Sequence, residues 1–254
     1  MAHFVPVLSS VVGKMTSGER RFARRLESHL EDDYICWYDV PVGSLYQHPD
    51  FLVFHPRRGL LVLEVKDWKL ESIQSIDRIR VTLQVDGRAV RTASPMEQAR
   101  QYAHRIKQLL ESDAALVGEP GSSYEGKLIF PWGYGVVLAN ISRKAFAGTD
   151  LGNVIPPERV ICQDEMVESV DAEAFQQRLW GDVRGAGYRP GDGSPAGAAR
   201  KEHGGGPSGD SRSGRLGQDD DPGLPRAVNR SGGITLPRSV PANALREIFA
   251  STTP

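Results

Sequence analysis

Three residues of this chain could together carry out phosphodiester chemistry: Asp50, Glu64 and Lys66, spaced as D-x13-E-x-K. Two carboxylates on one surface bind a hard divalent cation such as Mg²⁺ (or Mn²⁺), which keeps several of its waters. Such an ion neutralises charge on a scissile phosphate and lowers the pKa of a bound water. A lysine beside it can orient or deprotonate that water and stabilise the developing charge. An ordinary surface strand with a Glu-Lys alternation has the same spacing, so the elements that carry the three residues must decide between the two.

Leu60 to Lys66, LLVLEVK, reads as a strand, and its nearly unbroken aliphatic run makes it a buried central one. An unpaired carboxylate is costly there, so Glu64 calls for an ion pair or a metal. In a strand Glu64 and Lys66 share a face while Val65 points to the other. Asp50 opens the neighbouring strand candidate, DFLVF, joined to the first through the turn-like HPRRG. Pairing Phe54 with Leu60 sets Asp50 opposite Glu64, and a shift by two sets it opposite Lys66. A slip by one sends Asp50 to the far side.

Further elements frame this pair. Thr16-x-x-Glu19 is a capping-box pattern opening a helix whose apolar face is Phe22, Leu26 and Leu30. A strand is expected around Tyr34 to Val40, and residues 71–93 read as a β-hairpin with Asp86-Gly87 at its tip. Ser94-Pro95-Met96-Glu97 reads as a second capping box, launching a helix to about Leu110 with Met96, Ala99, Ala103, Ile106 and Leu110 buried. Strand-like LIF and GVVLAN, a short VIC strand and one or two helices up to Trp180 complete an α-β-β-β-α-β order. The expected organisation is an N-terminal arm (1–14), one α/β domain (15–180) with a central mixed sheet flanked by helices, and a tail (181–254).

The whole chain narrows the partners. Its net charge is −1, so any nucleic-acid contact must come from a local basic patch. The two cysteines form no CxxC pair, which argues against a disulfide scaffold or cysteine-ligated zinc and fits a reducing cytoplasm. No apolar run approaches the roughly 18 residues of a membrane span, and the N-terminus lacks the charged start of a signal peptide. The expectation is a cytoplasmic protein without membrane contact.

The strings SGER (17–20), HPDFLVFHPRRGLLVLEVKDW (48–68) and SPMEQARQY (94–102) resemble, in order and spacing, the nuclease-related domain, NERD, of the PD-(D/E)xK superfamily. The likeness spans roughly residues 15–180, and Pro49 supplies the leading proline of the PD pair. It implies a restriction-endonuclease-like core acting on DNA in its processing or repair. Asp50 and Glu64 would be the metal ligands, and Lys66 the catalytic lysine. Glu19 falls on the glutamate of the superfamily's first helix, and Gln98 with Tyr102 resembles the Q-x3-Y element of recombination exonucleases. An alternative function is a non-catalytic DNA-binding or targeting module that retains the fold.

These supporting residues also have plain structural explanations. Capping alone accounts for Glu19, and a polar border beside the buried stripe accounts for Gln98 and Tyr102. Arg20 and Arg24, with Arg21 and Arg25 beside them, could meet DNA phosphates, but an arginine-rich helix side is more often a solvated face.

After Trp180 the composition changes: residues 181–233 are rich in Gly, Pro, Arg, Ser and Asp, which cannot offset their ordering entropy, so a disordered tail is expected. The tail has a second reading from the genetic code. Read one base later, the codons of Gln218, Asp219, Asp220 and Asp221 allow only two residues each. Arg215 to Pro225 then permits GSGKTMILGYR, a phosphate-cradling P-loop. The expectation is a shifted reading frame in a gene for a NERD domain fused to a superfamily 1 DNA helicase. As written the chain contains no P-loop, so no helicase or ATPase activity is expected of it.

Overall fold

The turn between the two site strands fixes everything downstream of it. In the computed structural model, which describes residues 1–42, 48–122, 125–181, 245 and 249, His55 Nδ1 accepts from the backbone N–H groups of Arg57 (3.0 Å) and Arg58 (3.1 Å). Its Nε2 donates to Asp33 Oδ2 at 3.0 Å. Gly59 closes the turn at φ 97°, and a Cβ there would strike the Pro131 carbonyl. The turn sets β3 (Phe51–His55) antiparallel to β4 (Gly59–Lys66) with Phe54 opposite Leu60, the first of the two registers expected.

These strands are the middle of a six-stranded mixed sheet. β1 (His3–Val5) lies parallel to β2 (Ile35–Tyr38), which is antiparallel to β3; β4 lies parallel to β8 (Trp132–Leu138), and β8 to β9 (Val160–Cys162). Residues 3–5 of the expected N-terminal arm thus form an edge strand. Alternation divides β4 between two layers. Leu61, Leu63 and Val65 pack with Phe22 and Leu26 of α2 (Ser17–His29) and Phe175 and Leu179 of α5 (Ala172–Trp180). Leu60 and Val62 pack with Ala99, Ala103 and Ile106 of α3 (Pro95–Leu110) on the other face. A short helix, Leu8–Val11 (α1), precedes α2, and another, Arg143–Ala147 (α4), covers Val136 and Leu138. The expected α/β class, with helices flanking a central mixed sheet, is what forms.

Four local expectations need correction. The hairpin expected over residues 71–93 is a three-stranded meander, β5 (Ile73–Ile76), β6 (Arg80–Val85) and β7 (Arg88–Ala93), forming a separate sheet; Asp86-Gly87 does make the β6–β7 tip. Leu128-Ile-Phe is no strand, because only one isolated bridge, Leu128 to Val117, forms there. β8 begins at Trp132, before the two glycines Gly133 and Gly135, and not at Gly135; a Cβ on Gly135 would crowd the Arg159 carbonyl. Ser94 does not cap α3: its hydroxyl is buried without a partner, and Glu97 turns instead to Arg100 and Gln101.

The disordered-tail and shifted-frame readings fall outside the described residues, except at Leu245 and Phe249. Those two are helical and buried, and the Phe249 ring lies 5.1 Å from that of Trp37. An apolar pair four residues apart has helical spacing, which an average over a Gly- and Pro-rich stretch conceals. Among the described residues no helix is long and apolar enough to cross a membrane.

Candidate active site

The register places Phe51 opposite Leu63, so the next pair along, Asp50 and Glu64, meets at the end of the two strands. Asp50 Oδ2 accepts from the Val65 N–H at 2.6 Å, which holds the carboxylate against the edge of β4. Glu64 is 4% exposed. Its Oε1 accepts from Lys66 Nζ at 2.6 Å, while its Oε2 is buried with no hydrogen-bond partner among the described residues. The Lys66 ammonium also lies 5.9 Å from the Trp68 ring centre.

The electrostatics follow from this crowding. Burial pushes the Asp50 carboxyl up to about 7, and the neighbouring Glu64 adds to it; the Val65 N–H and the Lys66 ammonium oppose the rise. Burial likewise raises Glu64 against the pull of Lys66. Two buried carboxyls side by side hold on to a proton unless added positive charge offsets their burial.

Glu19 both caps its helix and belongs to the site's surroundings. The Thr16 hydroxyl accepts from Glu19 N–H at 3.3 Å, and Glu19 Oε2 accepts from Thr16 N–H at 3.0 Å, completing the capping box. The same Oε2 accepts from the Tyr38 hydroxyl at 2.8 Å. Its charge also reaches Asp50 and Glu64 and raises both.

On the α3 side, Gln98 and Tyr102 occupy one helical stripe. The Tyr102 phenol is pushed up by burial and by the charges of Glu64 and Asp50, which places it beside them, and the Gln98 amide partly offsets the rise. Gln98 Oε1 is buried without a partner, as Glu64 Oε2 is.

The arginines of α2 are mostly engaged in the fold. Arg20 donates to the Met15 carbonyl at 3.1 Å and buries its Nε, Arg21 donates to Ala139 O and Asn140 Oδ1, and Arg25 donates to Met166 O. Of the two arginines expected to meet DNA, Arg24 is exposed and Arg20 half-buried.

Asp67 and Asn140 do structural work at the site that the sequence did not announce. Asp67 Oδ2 accepts from the Gly18 N–H at 3.0 Å, and Arg21 approaches its Oδ1 at 3.9 Å. Asn140 Nδ2 donates to the Asp67 carbonyl at 2.7 Å. A Cβ on Gly18 would strike Asp67 Oδ1 and Ala139. Asp67 therefore ties the α2 N-terminus to the end of β4, one residue past Lys66, and so sets where Glu19 stands. The only hint in the sequence is an acid directly after the lysine.

The site thus gathers Asp50, Glu64 and Lys66 with Gln98 and Tyr102 on one side and Glu19 on the other. Among the described residues no three His, Cys, Asp or Glu side chains form a ligand set, so the carboxylate centre is a pair. No curated protein and no solved structure matches this chain. Residues 14–131 match the family model of the nuclease-related domain, NERD, a span containing all six of these residues, and the chain therefore carries a nuclease-related domain.

Proposed function

We propose that this chain is a metal-dependent phosphodiesterase acting on DNA in its processing or repair. The observation that carries the reading is the unpartnered, buried Glu64 Oε2 next to a second buried carboxyl, Asp50, with the orphaned Gln98 Oε1 on the helix above. A buried acceptor without a partner costs about 1–3 kcal/mol, and a hard cation satisfies several oxygens at once. Asp50 and Glu64 are the residues that would hold Mg²⁺ or Mn²⁺. Two carboxylates suffice for Mg²⁺, which commonly takes one or two and fills its remaining positions with water and substrate oxygens.

When bound, the ion supplies Lewis acidity at the phosphate and a more acidic water. The protein's own groups do the positioning. The Val65 N–H fixes the Asp50 carboxylate, and β4 presents Glu64 and Lys66 on one face. The Lys66 ammonium puts positive charge and N–H donors where a phosphate and its attacking water meet. Gln98 and Tyr102 offer an amide and a protonated phenol to the substrate backbone. Glu19, held by Thr16 and Tyr38, adds negative charge that favours a cation at the pair.

Incubation of the purified chain with labelled single- and double-stranded DNA and Mg²⁺ or Mn²⁺ tests the reading. Cleavage that Lys66→Ala abolishes supports it. Binding without cleavage supports instead a non-catalytic DNA-binding module. A helicase origin for the C-terminal segment is tested separately by the nucleotide sequence: codons 215 to 225 must spell a P-loop one base along.

A further inference from the structure

The meander β5–β7 is inserted between the two elements that carry the site, leaving β4 just after Lys66 and entering α3 just before Gln98. Its two faces differ. Val81 and Leu83 are buried, and Ile73 and Ile76 pack against the core cluster that contains Val136 and Leu138, which anchors one face to the domain. The other face carries Arg80, Thr82 and Gln84 on β6 opposite Ala93, Arg91 and Ala89 on β7. It has no large apolar side chain, so hydrophobic burial does not explain why it is ordered.

Arg80 and Arg91 are diagonal neighbours on that face, since Arg80 pairs with Ala93. Such positions stand roughly 7–8 Å apart, close enough for two guanidinium groups to converge on one anion. Both residues are exposed, and among the described residues neither forms an ion pair with a carboxylate. The two acids nearby are already engaged. Asp77 Oδ1 accepts from the N–H groups of Ile79 (2.7 Å) and Arg80 (2.8 Å), and these bonds, with a smaller share from the Arg80 and Arg91 charges, hold its carboxyl below the usual range. Glu97 takes a two-pronged bond from Arg100, at 2.7 Å on each arm, and a third bond from Gln101.

Between these arginines and the first turns of α3 lies an open cavity of about 340 Å³, walled by Ile79, Arg80, Arg91, Thr92 and Ala93 on the meander and by Glu97 and Gln101 on the helix. The helix relates this cavity to the site. Glu97 and Gln101 form one stripe of α3, and Gln98 and Tyr102, beside the carboxylate pair, form the adjacent stripe. One helix wall therefore borders both. Guanidinium pairs match phosphate oxygens in geometry as well as charge.

We propose that this cleft is a phosphate subsite for the DNA strand, in which Arg80 and Arg91 clasp a phosphodiester flanking the one held at Asp50 and Glu64. The proposal rests on the nuclease reading for its substrate, and it assigns the inserted meander the task of holding the strand in line with the site. It also relocates the basic footprint from α2, whose arginines are largely occupied, to a different element.

The test is fluorescence anisotropy of the full chain with labelled single- and double-stranded oligonucleotides in EDTA, over a range of salt. Removing both side chains (Arg80→Ala with Arg91→Ala) is expected to weaken binding about tenfold and to lower the slope of log K against log salt by about one or more. Arg80→Lys with Arg91→Lys is expected to keep the slope, and Thr82→Ala, on the same face, to change neither. Circular dichroism checks that each variant is folded. An alanine pair that keeps wild-type affinity and slope overturns the subsite, as does a wild-type chain that binds no DNA. Cleavage is scored in parallel with Mg²⁺ or Mn²⁺: a chain that binds DNA without cutting it overturns the nuclease reading while the slope still judges the subsite.

Discussion

Two helices bring their N-terminal turns to the carboxylate pair, and they do so in opposite ways. At the start of α2 the polar groups are matched: Thr16 and Glu19 cap each other, the Gly18 N–H reaches Asp67, Tyr38 donates to Glu19, and Arg21 bonds Ala139 and Asn140. At the start of α3 the Ser94 hydroxyl and Gln98 Oε1 are buried without partners, and Glu64 Oε2 beneath is in the same condition. Buried polar groups in folded proteins are nearly always paired. Among the described residues three such exceptions lie at the start of α3 and the strand end beneath it, whereas at the start of α2 only Arg20 Nε is one; the contrast suggests that α2 holds the strand ends in place and that α3 faces what binds.

The largest effect expected from this contrast is on cleavage. Lys66→Ala should lower the rate of Mg²⁺-dependent DNA hydrolysis by about 10²–10³-fold, the usual loss when a donor to developing charge is removed, while circular dichroism stays unchanged. A variant that cuts as fast as wild type would remove Lys66 from the chemistry. The scaffold side predicts a loss of stability instead. Gly18→Ala drives a methyl group into Asp67 and Ala139 and should cost about 1–3 kcal/mol in urea unfolding. Asp67→Ala, which strands the Gly18 N–H, should cost a similar amount.

A paired substitution sharpens the comparison at smaller magnitude. Thr16→Ala removes a formed cap and should destabilise by about 1 kcal/mol. Ser94→Ala removes a hydroxyl that has no partner and should be neutral or stabilising by up to about 1 kcal/mol. Equal losses at both positions would mean that the two helix starts do not differ in the way described.

The smallest effects are expected in pH dependence. The Asp50 carboxyl sits at about 7 in the folded chain against an ordinary 3.8, so the folded state binds the extra proton between those values. Its contribution to stability is therefore present at low pH and lost as pH rises through about 7. His55 runs the other way. Burial, then the nearby Arg58 and Arg57, lower it below 6.5 despite Asp33. Its contribution is lost as pH falls below 6.5. Asp50→Asn should shrink the decline with rising pH, the part due to the raised Glu64 carboxyl remaining, and leave the acid one. In thermal melts Mg²⁺ should raise the Tm more at pH 8 than at pH 5.5, since only an ionised pair binds it well, and chelation with EDTA should reverse the gain. An equal Tm gain at both pH values would count against a carboxylate metal site.

Much of this was legible in the sequence. The aliphatic run before Glu64 marked a central strand and the HPRRG turn gave the strand order; period-two alternation left two registers, Asp50 opposite Glu64 or opposite Lys66, and the fold selects the first. The Thr16–Glu19 box was legible for the same reason: its chemistry is local. Ser94–Glu97 has the same pattern and failed, since Glu97 found Arg100 and Gln101 closer at hand. The third meander strand escaped notice because Ile73 to Ile76 is short and carries two polar residues between its isoleucines.

The sequence by itself determined which residue types the candidate site offers and the strand that carries Glu64 and Lys66, because residue type, strand period and turn geometry act over a few neighbouring residues. Tertiary structure alone decided which acceptors go unpaired, which arginines remain free and where α2 is anchored. Those properties depend on partners far apart in the chain, 141 positions for Arg25 and Met166, and no local pattern records whether such a partner is in reach.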